Sequence, residues 1–205
     1  MGVVAVVVVV LIIVFFLAMR TSGANDPFQA AAASLGLKLT RSVPDLLPRV
    51  EGMVNGLPIR IDIPDRGATA RYRAFYPPLG MALRLERETT ISRTMGELGQ
   101  TDTQVGEAAF DNMFKVNTSR PDALQKMMTP QLRRSLVQLL DAYPKMLIED
   151  GGMTYVSDTA EPTQEEIVRI TTAMAAAAHQ LVGNRPPPLE KPQPRPRPKP
   201  AAQPT

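Results

Sequence analysis

The chain has 205 residues, with no cysteine, no tryptophan and only 5% aromatic residues. Without cysteine there is no disulfide, thiolate nucleophile, cysteine–zinc site, iron–sulfur cluster or lipid-modified cysteine anchor. The net charge of +3 is uneven: Arg185, Lys191, Arg195, Arg197 and Lys199 crowd the C-terminal stretch against Glu190 alone. The remaining body is near-neutral, which argues against a nucleic-acid partner, since such a domain carries its basic residues on a folded face.

Met1–Met19 runs MGVVAVVVVVLIIVFFLAM without a charged side chain. As a helix it would extend about 28 Å, close to the roughly 30 Å hydrocarbon thickness of a bilayer. A cleaved signal would show a basic start, a shorter apolar core and a small-residue cleavage site. Here no basic residue precedes the run, and Arg20 sits where the Ser22-Gly23-Ala24 cleavage motif would disfavour it. Residues 1–20 therefore read as a transmembrane anchor in contact with the lipid bilayer. Arg20, Lys38 and Arg41 follow the span and none precedes it, so positive-inside bias predicts an external N-terminus and a cytoplasmic domain. An exported domain is the alternative.

Asn25-Asp26-Pro27 supplies a cap and a first-turn proline, predicting a short helix over residues 26–36 that stops at Gly36. Over residues 37–88 the period becomes two, predicting an antiparallel β-meander. Asn55-Gly56 is a strong hairpin signal, and Leu57, Ile59, Ile61 and Ile63 alternate with Pro58, Arg60 and Asp62. ATARYRAFY places Arg71 and Arg73 opposite Tyr72, Ala74 and Tyr76, and MALRLERE places Met81, Leu83 and Leu85 opposite Arg84. Four such strands need a cover on their apolar face.

Residues 89–104 are polar and turn-rich, a linker. Residues 105–183 form the second half: a helical turn and short strand in VGEAAFDNMFKVNTS, helices over 121–128, 130–143 and 164–182, and a hairpin over 146–157 turning at Asp150-Gly151-Gly152. Thr129-Pro130 is a cap and first-turn proline, and Leu132, Leu136, Leu139, Leu140 and Tyr143 recur at helical spacing. Thr163 with Glu166 is a capping-box pattern ahead of Ile167, Ile170, Met174 and Leu181. Residues 184–205 are proline-rich and basic, with the composition of an extended, disordered tail. The fold class is α+β, with an N-terminal transmembrane helix.

No constellation of catalytic residues stands out. His179 is the single histidine and has no cysteine or carboxylate pair beside it, so it is not a zinc site. Glu86/Glu88, Glu149/Asp150 and Glu165/Glu166 could serve as acid and base, but their positions at strand ends, a hairpin and a helix start suit structural roles. No phosphate-binding glycine loop, nucleophile elbow or paired-histidine motif occurs, and no cofactor is expected. The candidate interaction surface is Arg71, Arg73 and Arg84 on one sheet face, with Arg195, Arg197 and Lys199 in the tail. The sheet-face arginines suit phosphate, lipid headgroups or an acidic partner, and an ordinary solvated face is the alternative. The tail suits a protein groove or anionic lipid.

FDNMFKV, DALQKMMTPQLRRSLVQLL and IEDGGMTYV together resemble a group of uncharacterised bacterial membrane-anchored proteins with an FDxxFxV box followed by a TPxLxxxLLxL helix. The box here is Phe110, Asp111, Phe114 and Val116, and the helix entry is Met128-Thr129-Pro130. Phe110 and Phe114, at i and i+4, are expected to share a helical face. The resemblance implies a membrane-proximal domain and adds no reaction. The leading expectation is a non-enzymatic interaction or scaffold domain. The others are a tethered enzyme with a carboxylate-lined site, and an extracytoplasmic domain that binds lipid or an envelope component.

Overall fold

The computed structural model describes residues 26–42, 47–88 and 103–186. The transmembrane anchor expected over residues 1–20, most of the 89–104 linker and nearly all of the tail lie outside the described residues. Among the described residues no helix is long and apolar enough to cross a membrane.

Helix α1 (Pro27–Leu35) starts and stops as the sequence predicts. The Asp26 carboxylate accepts the Phe28 amide at 3.0 Å, and Gly36 closes the helix in the left-handed conformation at φ 66°. Strands β1 (Lys38–Ser42), β2 (Leu47–Val54) and β3 (Leu57–Asp62) follow. Asn55 and Gly56 both take positive φ between β2 and β3, which the tight hairpin turn requires. Then come β4 (Arg71–Phe75), β5 (Arg84–Arg87), the single-turn α2 (Ala108–Asp111) and β6 (Phe114–Asn117). Helices α3 (Pro121–Met127) and α4 (Pro130–Ala142), strands β7 (Leu147–Glu149) and β8 (Gly152–Val156), and helix α5 (Gln164–Gly183) complete the order. Thr129 and Thr163 cap α4 and α5, accepting the amides of Leu132 at 3.3 Å and Glu166 at 3.2 Å.

The fold is α+β around one eight-stranded sheet, ordered β1-β2-β3-β4-β8-β7-β5-β6, with every pairing antiparallel. This differs from the four-strand meander expected over residues 37–88. Strand β1 adds to its front edge, and β8 and β7 stand between β4 and β5. The reason lies in the loop between β4 and β5. Asp150, in the β7–β8 turn, takes the amides of Gly80, Met81 and Leu83, so that loop wraps around the turn and β5 lands beyond the hairpin. Tyr72 then stands opposite Tyr155, and Leu85 opposite Ile148.

The shared helical face expected for Phe110 and Phe114 is not formed. Helix α2 ends at Asp111, whose carboxylate accepts the amides of Val105 at 2.8 Å and of Gly106 and Glu107 at 3.1 Å, and Phe114 opens β6. The two rings still meet, with centroids 4.9 Å apart, across the helix–strand junction.

Period-two alternation sends Val50, Ile59, Ile61, Tyr72, Ala74, Leu85, Val116, Ile148, Met153 and Tyr155 to one face of the sheet, where all are buried. The helices cover that face. Helix α5 contributes Ile167, Ile170, Met174, Ala178 and Leu181, α4 its leucines 132, 136, 139 and 140, and α1 Phe28, Ala31 and Ala32. Small residues on α1 and α5 let these helices pack closely on each other and on the sheet. The opposite face of the sheet carries no helix among the described residues.

Candidate functional site: the open sheet face

Strand registers place the side chains of the open face in rows across β1–β4 and β8. One row is Lys38, Glu51, Arg60, Arg73 and Thr154; the next is Thr40, Arg49, Asp62, Arg71 and Val156. On the other side of the Arg60 row stand Met53 opposite Pro58 and Phe75 opposite Gly152. Rows two residues apart on a strand are separated by roughly 6.6 Å. Within β1–β4 this face carries five cationic side chains against Glu51 and Asp62.

Asp62 organises the cluster. It is 4% exposed although it points away from the core, because arginines close over it. Its carboxylate accepts from Arg71 Nε at 3.1 Å and Nη2 at 3.3 Å, and from Arg73 Nη2 at 2.7 Å. Arg60 pairs with Glu51 at 3.3 Å. Arg60 and Arg73 are direct cross-strand partners, a like-charge juxtaposition that works against the sheet. Burial pushes the Arg73 guanidinium below the ordinary arginine range; Asp62 opposes this, while Arg71 and Arg60 add to it. The Nε of Arg73 is buried with no hydrogen-bond acceptor among the described residues, and the buried Nε of Arg60 faces Glu51 without hydrogen-bond geometry. The cluster thus holds more donor capacity and more positive charge than its two carboxylates satisfy.

Apolar side chains frame it. Met53 is 55% exposed, Phe75 38% and Val156 39%, and these are the large hydrophobic residues that stand exposed among the described residues. Exposed hydrophobic residues beside a charged cluster suit an interface better than a freely solvated face.

The structure brings together two of the three sheet arginines singled out in the sequence. Arg71 and Arg73 flank Asp62, whereas Arg84 shares the face but sits on β5, three strands from β4 and so roughly 14 Å away, paired with Glu86 at 3.1 Å. Arg195, Arg197 and Lys199 lie outside the described residues. Sequence reasoning missed Arg49, Arg60 and Asp62 as cluster members. Their signal was present in the alternation of Arg60 and Asp62 with Ile59 and Ile61, but the register that sets them beside Arg71 and Arg73 is a long-range property.

The acidic pairs take structural places. Asp150 holds the β4–β5 loop; burial pushes its carboxyl up, but the amides of Met81, Leu83, Gly80 and Ala82 outweigh this and keep it below the ordinary carboxylate range. Glu165 and Glu166 open α5, where negative charge suits the helix dipole. His179, exposed on α5, has Nε2 2.5 Å from the Asn55 carbonyl oxygen and ties the last helix to the β2–β3 turn. Among the described residues, no group of three or more His, Cys, Asp or Glu is placed to hold a metal ion.

Concave regions lie elsewhere. A cleft of about 570 Å³ between α3 and the end of α5 is lined by Arg120, Asp122, Lys126, Asn184 and Arg185. A groove of about 360 Å³ separates α4 and α5, and one of about 470 Å³ lies between the starts of α1 and α5 beside Asp26 and Glu161. Asp26 in that groove is already engaged by the Phe28 amide and by Arg41. None of these regions joins a nucleophile to a positioned base.

An antiparallel sheet covered by helices on one face and carrying a charged cluster on the other defines a layered α+β domain with an open face. The sequence matches no protein-family profile and no curated protein. Among solved structures the fold is similar to that of the mycobacterial trehalose monomycolate transport factor A, TtfA, at 12% sequence identity and a TM-score of 0.51. The likeness covers 82% of this chain and 99% of that one, and it concerns the fold.

Proposed function

We propose that this chain is a single-pass, membrane-anchored, non-enzymatic docking module. In this reading residues 1–20 span the bilayer, the N-terminus lies outside, and the α+β domain works at the cytoplasmic surface as an interaction or scaffold domain. The observation that carries it is the open sheet face, where Arg71 and Arg73 close over Asp62 and Arg60 stands opposite Arg73, between exposed Phe75, Met53 and Val156. Such a surface is built to be covered by another surface rather than to enclose a small substrate. The carboxylates that would serve a tethered enzyme are occupied in caps, turns and ion pairs, which favours docking over catalysis. The description of the structural neighbour as a transport factor is in keeping with an accessory role and adds no substrate to this chain.

The test is fractionation of cells carrying a C-terminal epitope tag, followed by protease treatment of intact spheroplasts and of lysed membranes. The tag should resist alkaline extraction from the membrane and become protease-sensitive only on lysis. A soluble tag, or one cleaved in intact spheroplasts, refutes the anchored cytoplasmic reading and turns the search to envelope components outside the cell.

A further inference from the structure

We infer that the β1–β4 half of the open face seats on an anionic lipid surface, with Arg60, Arg71 and Arg73 taking up headgroup phosphate. This rests on the anchored reading above and names the partner of the same face. Three observations converge on it.

The first is charge complementarity. Lys38, Arg49, Arg60, Arg71 and Arg73 face outward from β1–β4 against Glu51 and Asp62, while on β5–β7 the same face balances Arg84 and Lys115 against Glu86 and Glu149. On this sheet face the excess lies in the β1–β4 half, although the chain outside its basic C-terminal stretch is near-neutral. The second is the unspent donor capacity. Arg60 and Arg73 oppose each other across the strands; the buried Nε of Arg73 finds no acceptor among the described residues, and that of Arg60 lies 3.3 Å from a Glu51 carboxylate oxygen without hydrogen-bond geometry. An oxyanion lying over this pair relieves the like-charge contact and takes up guanidinium donors that the two carboxylates leave over, a role for which guanidinium is suited.

The third is position. In the anchored reading residues 21–25 connect the span to Asp26, a reach of at most about 20 Å. The described residues begin at Asp26, at the start of α1 on the helical side of the sheet; its carboxylate pairs with Arg41 of β1, so the tether arrives beside the β1 edge, at the strand ends that carry Arg49 and Arg71. The cationic half of the sheet is thus the half nearest the tether. Phe75, Met53 and Val156, exposed on either side of the arginines, suit the boundary between headgroups and acyl chains.

The absence of native cysteine makes the test direct. The full chain is reconstituted through its anchor into phosphatidylcholine vesicles and into vesicles containing about a third phosphatidylglycerol. An environment-sensitive fluorophore sits on Val156→Cys, or on Gln138→Cys of the helical layer as a control. The Val156 label should shift to shorter wavelength in anionic vesicles alone, and the Gln138 label in neither. The shift should vanish in about 1 M salt, where the screening length falls to about 3 Å. Arg60→Gln with Arg73→Gln should raise the anionic lipid needed for half the shift about fivefold for each charge removed. Lys38→Gln with Arg49→Gln, at exposed positions outside the buried pairs, should act in the same direction with an unchanged melting temperature.

An equal shift in neutral vesicles overturns the inference, as does an unresponsive Val156 label on a chain that stays in the vesicles. A label that ignores anionic lipid but is shielded by soluble polyglutamate assigns the face to an acidic polypeptide and also overturns it. Loss of the chain from the vesicles on alkaline washing is a different failure, that of the anchored reading itself.

Discussion

Replacing Asp150 tests how the β7–β8 hairpin comes to stand between β4 and β5. Its Oδ1 accepts the amides of Met81 at 2.9 Å and Leu83 at 3.3 Å, and its Oδ2 that of Gly80 at 3.2 Å. Met81 and Leu83 are buried at 0% and 2% exposure, so in Asp150→Ala their amides are left without a partner, whereas Gly80 is exposed and can turn to water. A buried unsatisfied amide costs about 1–3 kcal/mol, which gives about 2–4 kcal/mol for the two after allowing for partial access of solvent. Asp150→Asn keeps one acceptor oxygen and loses the charge, and about 1 kcal/mol is expected. At roughly 2–4 °C per kcal/mol for a domain of this size, the alanine variant should melt about 5–15 °C below wild type and the asparagine variant a few degrees below.

The pH dependence carries the sign of a depressed carboxylate. The folded pKa lies below the unfolded value of about 3.9, so the stabilisation is complete above that pH and is lost as pH falls through the folded value. Thermal melts of the full chain in mild detergent, followed by circular dichroism, should therefore show wild type and Asp150→Asn well separated at neutral pH. The gap should narrow in strong acid. A gap independent of pH, or an alanine variant within 0–1 °C of wild type, roughly the scatter expected of a surface substitution, would refute the role given to this carboxylate.

Other substitutions probe the same packing. In Gly152→Ala the new Cβ meets the Ala74 carbonyl oxygen at 2.8 Å on the neighbouring strand, so a loss of about 1–3 kcal/mol in urea unfolding is expected. Leu136→Ala removes a fully buried side chain from α4 and should cost about 2–5 kcal/mol, with no change in labelling of the open face. Ala82 holds φ 48° in the loop around Asp150, and Ala82→Gly should be neutral or stabilising by up to about 1 kcal/mol in the same assay; a clear loss would contradict the strain.

Local signals carried much of the fold. Asp26-Pro27 and Thr129-Pro130 mark helix starts because cap and first-turn geometry are set within four residues, and Asn55-Gly56 marks its hairpin because both residues take positive φ at low cost. The alternation of Ile59, Ile61, Tyr72 and Ala74 marks the buried face without reference to any partner strand. Pairings between distant segments were not legible. Nothing adjacent to Tyr72 in the chain points to Tyr155, and the detour of β5 depends on one carboxylate folding a loop around itself. Phe110 and Phe114 misled because their spacing fits a helix, while the helix holds a single turn to Asp111 and Phe114 already opens β6. The arginine cluster was half visible for the same reason: Arg71 and Arg73 share a strand, but Arg60 and Asp62 join them through register.

Labelling of introduced cysteines in native membranes tests the docking face most directly. Met53→Cys, Phe75→Cys and Val156→Cys on the open face are compared with Gln138→Cys on α4 for their rate of reaction with a water-soluble maleimide, in isolated membranes and after detergent extraction. All four positions are exposed in the structure, so they should react at similar rates once extracted. A covered face predicts that the three sheet positions react several-fold more slowly in membranes than in detergent, with Gln138 unchanged. Equal rates at all four positions in membranes, or protection of Gln138 alone, would contradict it.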